Sequence, residues 1–216
     1  MTTIIIVGMK MEEKIAKKIG CPIIIAGITK ELLVQKMEEA IVTNTVTSFL
    51  SFGVAGGLSY DLKSGDIVIG TYALDCNNNK INSCNILTNN IINSLKDIKY
   101  TLGGIFGSLH PLNIDEKNYK LESIACAVDM ETLTMAQIAQ KHNIPFAIIR
   151  TISDSVDVKL PHAAIVAINQ NGSINYAAMI KSLLIDITQI KDLIILAISS
   201  RKAFNSLKII ANILKI

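Results

Sequence analysis

The stretch AVDMETLTMAQIAQKHNIPFAIIRTISDSVD, Ala127–Asp157, decides the fold. Glu131–His142 carries Met135, Ile138 and Ala139 on one face, the spacing of a helix packed on one side. Pro145–Ile152 then runs almost continuously apolar at strand length, and Ala125–Val128 is a shorter run of the same kind before the helix. A continuous apolar strand is one covered on both faces, so strand, helix and strand in succession predict a largely parallel sheet between helices. Against that apolar background stand Asp129 and Glu131 at one end, and Asp154 and Asp157 at the other. Ligands of such sheets bind at the carboxyl ends of the strands, and both acidic pairs fall there.

The alternation extends through the chain. Thr3–Val7, Pro22–Ala26, Val46–Phe52, Ile67–Tyr72 and Thr101–Phe106 read as strands. Met11–Ile19, Thr29–Ile41 and Asn82–Lys96 read as helices, and the last 40 or so residues as two or three more. The expectation is one α/β domain over residues 1–216, three layers deep, with a central mixed but mostly parallel sheet and a helical C-terminal extension over 174–216. The rule of strand ends selects four loops: Gly8–Glu13, the glycine-rich GVAGG at Gly53–Gly57, Asp129–Glu131 and Ser153–Asp157.

Bulk composition narrows the function. Half of the 216 residues are hydrophobic and 18% are charged, with a mean hydropathy of +0.42, which excludes a disordered chain. Apolar runs such as Leu193–Ile198 are far shorter than the roughly 20 residues of a spanning helix. The opening MTTIIIVGMKMEE has no basic start and turns acidic at once, so it reads as a first strand and not as a signal peptide. Four scattered cysteines fit reduced thiols in a cytoplasm. Three distant histidines offer no paired ligands, so neither metal nor cofactor is expected. Aromatics are only 5%, and the bases form no dense patch, which speaks against nucleic acid as partner.

A pocket made from those loops is rich in carboxylates, poor in cations and lined by a glycine turn. Phosphate is badly served by it. Cleavage of a ribosyl–purine bond fits better, because positive charge develops on the sugar. That reaction needs an acid for the leaving base, a carboxylate for the ribose hydroxyls and a base to orient water.

The same residues carry a resemblance. Ala127–Asp157 resembles the signature of the nucleoside phosphorylase and nucleosidase family, in which (E/D)-M-E, a helix, a strand and R-x-x-S-D follow in order. SFGVAGGLSYDLKSGDIVIG, Ser51–Gly70, resembles that family's sugar-binding turn and next strand, and IIIVGMKMEEK its first strand and loop. GSLHPL and the C-terminal tail are similar to the hopanoid-associated branch, implicated in removing adenine from adenosylhopane.

The resemblance implies a small-molecule purine nucleoside as substrate and a homodimer or larger homo-oligomer. It implies Asp154 as the acid at purine N7, Met130 and Glu131 at the ribose, and Gly56 as a ligand contact, with Ala55 beside it. Glu12 or Glu13 would activate water: the hopanoid-type pattern favours Glu12, a count from Gly8 favours Glu13. Leu112 falls where a base-contacting loop residue lies, and Arg150 is expected to partner a pocket carboxylate. Where family phosphorylases hold phosphate with two arginines and a serine, this chain has Glu12, Ser51 and Val54, which favours water as the nucleophile. Phosphorolysis and a non-catalytic nucleoside-binding protein are the alternatives.

Plainer roles compete for each residue. Asp154 can cap a turn, Met130 can be core, Glu131 can favour a helix N-terminus, and Asp129 and Asp157 can be structural. The tail from Ile180 to Ile216 holds six bases and two acids. Phe204, Leu207, Ile210 and Leu214 recur there at helical spacing, with Lys208 and Lys215 to one side. That stripe either packs on the domain or lies on anionic lipid at the inner face of the membrane.

Overall fold

Alternate residues of the first strand serve two different cores. Ile4 and Ile6 pack with one buried cluster and Ile5 and Val7 with another, because successive side chains of a strand leave opposite faces. Ile148 and its neighbours Ala147 and Ile149 divide in the same way. The computed structural model describes residues 2–25, 29–117, 119–169 and 171–214, without the side chains of 119 and 120. Ala26 of the second expected strand and Lys215 of the tail lie outside the described residues.

The elements in order are β1 (Thr2–Val7), α1 (Lys10–Ala16), β2 (Ile23–Ile25), α2 (Lys30–Thr43), β3 (Val46–Gly57), β4 (Ile67–Leu74) and β5 (Lys80–Asn82). There follow α3 (Asn85–Ser94), β6 (Thr101–Gly107), α4 (Tyr119–Glu122), β7 (Ala127–Asp129), α5 (Thr132–Lys141), β8 (Phe146–Asp154), α6 (His162–Ile165), α7 (Tyr176–Ile185) and α8 (Gln189–Ile213). A short 3-10 turn, Lys17–Ile19, extends α1.

The sheet is mixed, as expected. β1 runs parallel to β2 and β3, β3 to β8, and β6 to β4 and β7. β7 is antiparallel to β3, and β5 and β8 are antiparallel to β4. Because β3 meets both β7 and β8 while β4 meets both β6 and β8, these five strands close into a ring. Leu33 and Met37 of α2 and Met135 of α5 cover one side; Ile15 of α1, Ile91 of α3 and Phe204 of α8 cover the other. Each such side chain contributes about 1.5–3 kcal/mol by leaving water.

Three expectations change. The glycine-rich stretch is not a turn after a strand: β3 continues through it to Gly57, pairing Gly53 with Arg150 and Gly56 with Asp154. Its glycines have no positive φ, so they serve close approach and not chain reversal. The third helix does not begin at Asn82, because Lys80–Asn82 adds a strand antiparallel to β4. The stripe Phe204, Leu207, Ile210 and Leu214 is buried against Ile5, Leu50, Ile67 and Ile149. It is part of the core and has no face left for lipid.

Candidate active site

Arg150 is the centre of the site and is wholly buried. It sits on β8 beside Gly53 of β3, where a Cβ would come within 2.4 Å of both Arg150 Nη1 and Glu12 Oε1. Only glycine lets the guanidinium and the carboxylate pass each other there. Nη2 lies 2.5 Å from Asp129 Oδ2 and 3.5 Å from Glu131 Oε2, and donates to Ser51 Oγ at 2.6 Å. Thr132 at the start of α5 ties this group together: its hydroxyl donates to Asp129 Oδ2, and its N–H to Asp129 Oδ1 at 3.1 Å. Nε and Nη1 have no hydrogen-bond partner among the described residues, so two buried donors remain for an incoming acceptor.

Glu12 and Glu13 part company on the first turn of α1. Glu12 is 2% exposed and turns inward. Its Oε2 accepts from the N–H groups of Gly8 and Met9, both at 2.8 Å, and its Oε1 from Val54 N–H at 2.7 Å. Glu13 turns outward and pairs with Lys17. Burial pushes the Glu12 carboxyl above its ordinary value, opposed by Arg150 and the three backbone donors.

Glu131 precedes α5 and reaches back toward β1, where a Cβ on Gly8 would meet its Oε1 at 2.5 Å. Burial pushes its carboxyl to about 8; Arg150 opposes the shift, while Asp129 and Glu12 add to it. Met130, between β7 and α5, is half-buried. Between the ordinary value of 4.5 and about 8 the folded chain keeps a proton that the unfolded chain has released. Stability is therefore greatest at acid pH and falls as pH rises through that window, by about 1.4 kcal/mol per unit per proton. Glu131→Gln should flatten the curve of melting temperature against pH between 5 and 8; an equally steep curve would place the shifted proton elsewhere.

The second acidic centre is Asp154, at the end of β8. Its Oδ2 lies 2.5 Å from the ammonium of Lys117, whose side chain is 1% exposed, and its Oδ1 lies 2.5 Å from Ser153 Oγ. Gly56 lies against the pair: a Cβ there would be 3.1 Å from Asp154 Oδ2 and 3.2 Å from Lys117 Nζ. The Ala55 carbonyl faces Ser153 Oγ at 3.2 Å. Leu112 is buried with Leu58, Phe106 and Val128 beneath this end of the sheet. Lys117 is absent from the sequence reading because nothing in its spacing separates it from Asp115, Glu116 and Lys120 in the same polar stretch. Asp157 lies outside the cluster and is exposed.

The four strand-end loops thus meet, and three carboxylates from two of them surround one arginine. A separate cavity of about 830 Å³, lined by Thr3, Ser48, Asn90 and Leu214, opens at the other end of the strands, away from these groups.

Solved structures share this framework. A 5′-methylthioadenosine/S-adenosylhomocysteine nucleosidase from Helicobacter pylori, crystallised with butyl-thio-DADMe-Immucillin-A, aligns over 99% of each chain at a TM-score of 0.67 and 19% identity. The futalosine hydrolase of Helicobacter pylori strain 26695 aligns over 99% of this chain and 98% of its own at 0.68 and 18% identity. In sequence, a 5′-methylthioadenosine/S-adenosylhomocysteine nucleosidase from Buchnera aphidicola subsp. Baizongia pistaciae (strain Bp) is 30% identical over 162 residues, 65% of this chain and 62% of that relative's length. The sequence model of the Phosphorylase superfamily matches residues 19–185, most of the chain, and with the strand order and carboxylate cluster above it places this protein in the Phosphorylase superfamily.

Proposed function

We propose that this protein hydrolyses the N-glycosidic bond of a purine nucleoside of the adenosine type. One observation carries the choice of water over phosphate. The backbone donors that could receive an anion at the β1–α1 and β3 loops, Gly8, Met9 and Val54 N–H, are already taken by the Glu12 carboxylate. Ser51, the next candidate, already accepts from Arg150. A phosphate mono- or dianion would meet a carboxylate where it needs donors.

In this reading Glu12 and the free donors of Arg150 hold the attacking water, with Glu12 taking its proton. Glu131 accepts from the ribose hydroxyls, interactions that strengthen as the sugar becomes cationic. Met130 packs on the ribose, Gly56 lets the base approach β3, and Asp154 acts at N7. The names of the relatives support an adenosine-type base. The test is base release from adenosine, methylthioadenosine and inosine, with and without millimolar phosphate. Free sugar at a rate indifferent to phosphate is expected; a sugar 1-phosphate detected by mass would turn the reading to phosphorolysis, and tight binding without turnover to a nucleoside-binding protein.

The finer substrate is an adenosine carried on a lipid such as a hopanoid. Besides the resemblance of the tail, an unpartnered apolar corner supports it. Leu184, Ile185 and Ile187, where α7 turns into α8, are 83%, 80% and 71% exposed. Tyr176, Ile180, Ile194 and Ile198 continue the exposed face, and Lys181 and Lys191 are exposed beside it. The segment leading into α7 reaches the active site, because the Gly172 carbonyl accepts Lys10 N–H beside the Glu12 loop. A protruding aliphatic corner with flanking ammonium groups suits an anionic lipid surface. The protein should sediment with vesicles containing phosphatidylserine at low salt and be released at high salt. Leu184→Glu with Ile187→Glu should abolish this without altering the melting temperature. Concentration-dependent dimerisation lost in the same variant, with no vesicle binding, would assign the corner to a second copy of the chain.

A further inference from the structure

Lys117 is a buried cation that the reading above leaves without a task. Its backbone N–H is anchored on the carbonyls of Asn113 and Ile114, and its ammonium is directed at the inner end of β8, 2.5 Å from Asp154 Oδ2. The other oxygen of Asp154 faces the Ser153 hydroxyl. Both oxygens of Asp154 thus accept hydrogen bonds, one from an ammonium and one from a hydroxyl, the pattern of a carboxylate with no proton of its own. An ionised Asp154 has no proton for a leaving base. The pair as a whole has one, and it resides on Lys117.

Resting on the hydrolase reading, we infer that the general acid is the Lys117–Asp154 pair, with Lys117 holding the proton and Asp154 passing it to the purine. As the bond from C1′ to N9 breaks, its electron pair stays with the base. The proton leaves Lys117 Nζ for Asp154 Oδ2, and the carboxyl so formed passes that same proton to N7. The products are a neutral purine, an ionised Asp154 and a neutral Lys117 amine, which regains its proton from solvent. Gly56 is what leaves room for this transfer, because any Cβ there would stand within 3.2 Å of both Asp154 Oδ2 and Lys117 Nζ.

Other charges facing the pair are few. Asp157 follows β8, and its carboxyl is held below the usual range by the Ser155 hydroxyl first and, in lesser part, by Lys63 and Lys117. Lys63 comes from the turn between β3 and β4. Glu116 and His110 pair with each other at the surface of the Lys117 loop. Asp129 is engaged with Arg150.

Arginine and methionine at position 117 separate proton donation from charge balance. Arginine keeps the ion pair but cannot give up a proton. Lys117→Arg should therefore fold and bind adenine, by thermal melt and calorimetry, while kcat for base release falls about 10²–10⁴-fold. Lys117→Met removes the group that holds the proton, so the alkaline limb of the pH–rate profile should move to lower pH than in the wild type. A Lys117→Arg enzyme with wild-type kcat makes the lysine a mere counter-ion and overturns the inference. If that variant melts early, an alkaline limb unmoved in Lys117→Met overturns it equally. A wild-type protein that releases no base from any nucleoside overturns the hydrolase reading and this inference with it, whereas release by the wild type with either result above removes only the inference.

Discussion

Arg150→Met is expected to leave the chain unfolded at neutral pH. The methionine fills much of the space but removes the cation that Asp129, Glu131 and Glu12 share. Removing one partner of a buried ion pair costs about 3–5 kcal/mol, because the other charge stays buried without compensation; here three carboxyls lose the same partner. Against a total stability on the order of 5–15 kcal/mol, that loss is decisive. The sign of its pH dependence is set by the same carboxyls. Burial already raises Glu12 and Glu131 above their ordinary values and Arg150 opposes both shifts, so without it these two rise further, and the variant recovers stability as they protonate and loses it as pH rises. Urea unfolding at pH 5 and pH 8 measures this. A variant as stable as wild type at pH 8 would mean that the guanidinium is not the electrostatic centre of the fold.

Asp154→Asn should lower base release about 10²–10⁴-fold, the usual contribution of a general acid. It should also weaken the fold, since Lys117 is then a buried ammonium facing an amide. The two losses separate in the double variant. Lys117→Met added to Asp154→Asn removes the stranded charge and should return most of the lost melting temperature while activity stays absent. Near-wild-type turnover in Asp154→Asn would remove this residue from the proton path altogether. Recovery of activity in the double variant would do the same.

Of these arrangements, the sequence by itself determined the layers and the strand ends. Apolar runs such as Ile4–Val7 and Ala147–Ile149 leave no polar face, so helices must cover both sides of the sheet wherever it lies. That constraint is local, and so is the position of Asp129, Glu131 and Asp154 at the ends of their strands. Tertiary structure decided the rest, because burial and pairing depend on residues far apart in the chain. Glu12 and Glu13 are adjacent and chemically alike, and it is Glu12 that turns inward, held by the amides of Gly8 and Met9 and by that of Val54, 42 positions away. The glycines of β3 read as a turn from composition, yet they are extended because Arg150, Glu12 and Asp154 need the space that a Cβ would take. The stripe of α8 could be read for core or for lipid until β1, β3 and β8 covered it, which moved the exposed apolar surface to the corner between α7 and α8. Lys117 carries no periodic signal at all. Its importance comes from a contact across 37 residues that the folding of β6, β7 and β8 into one ring brings about.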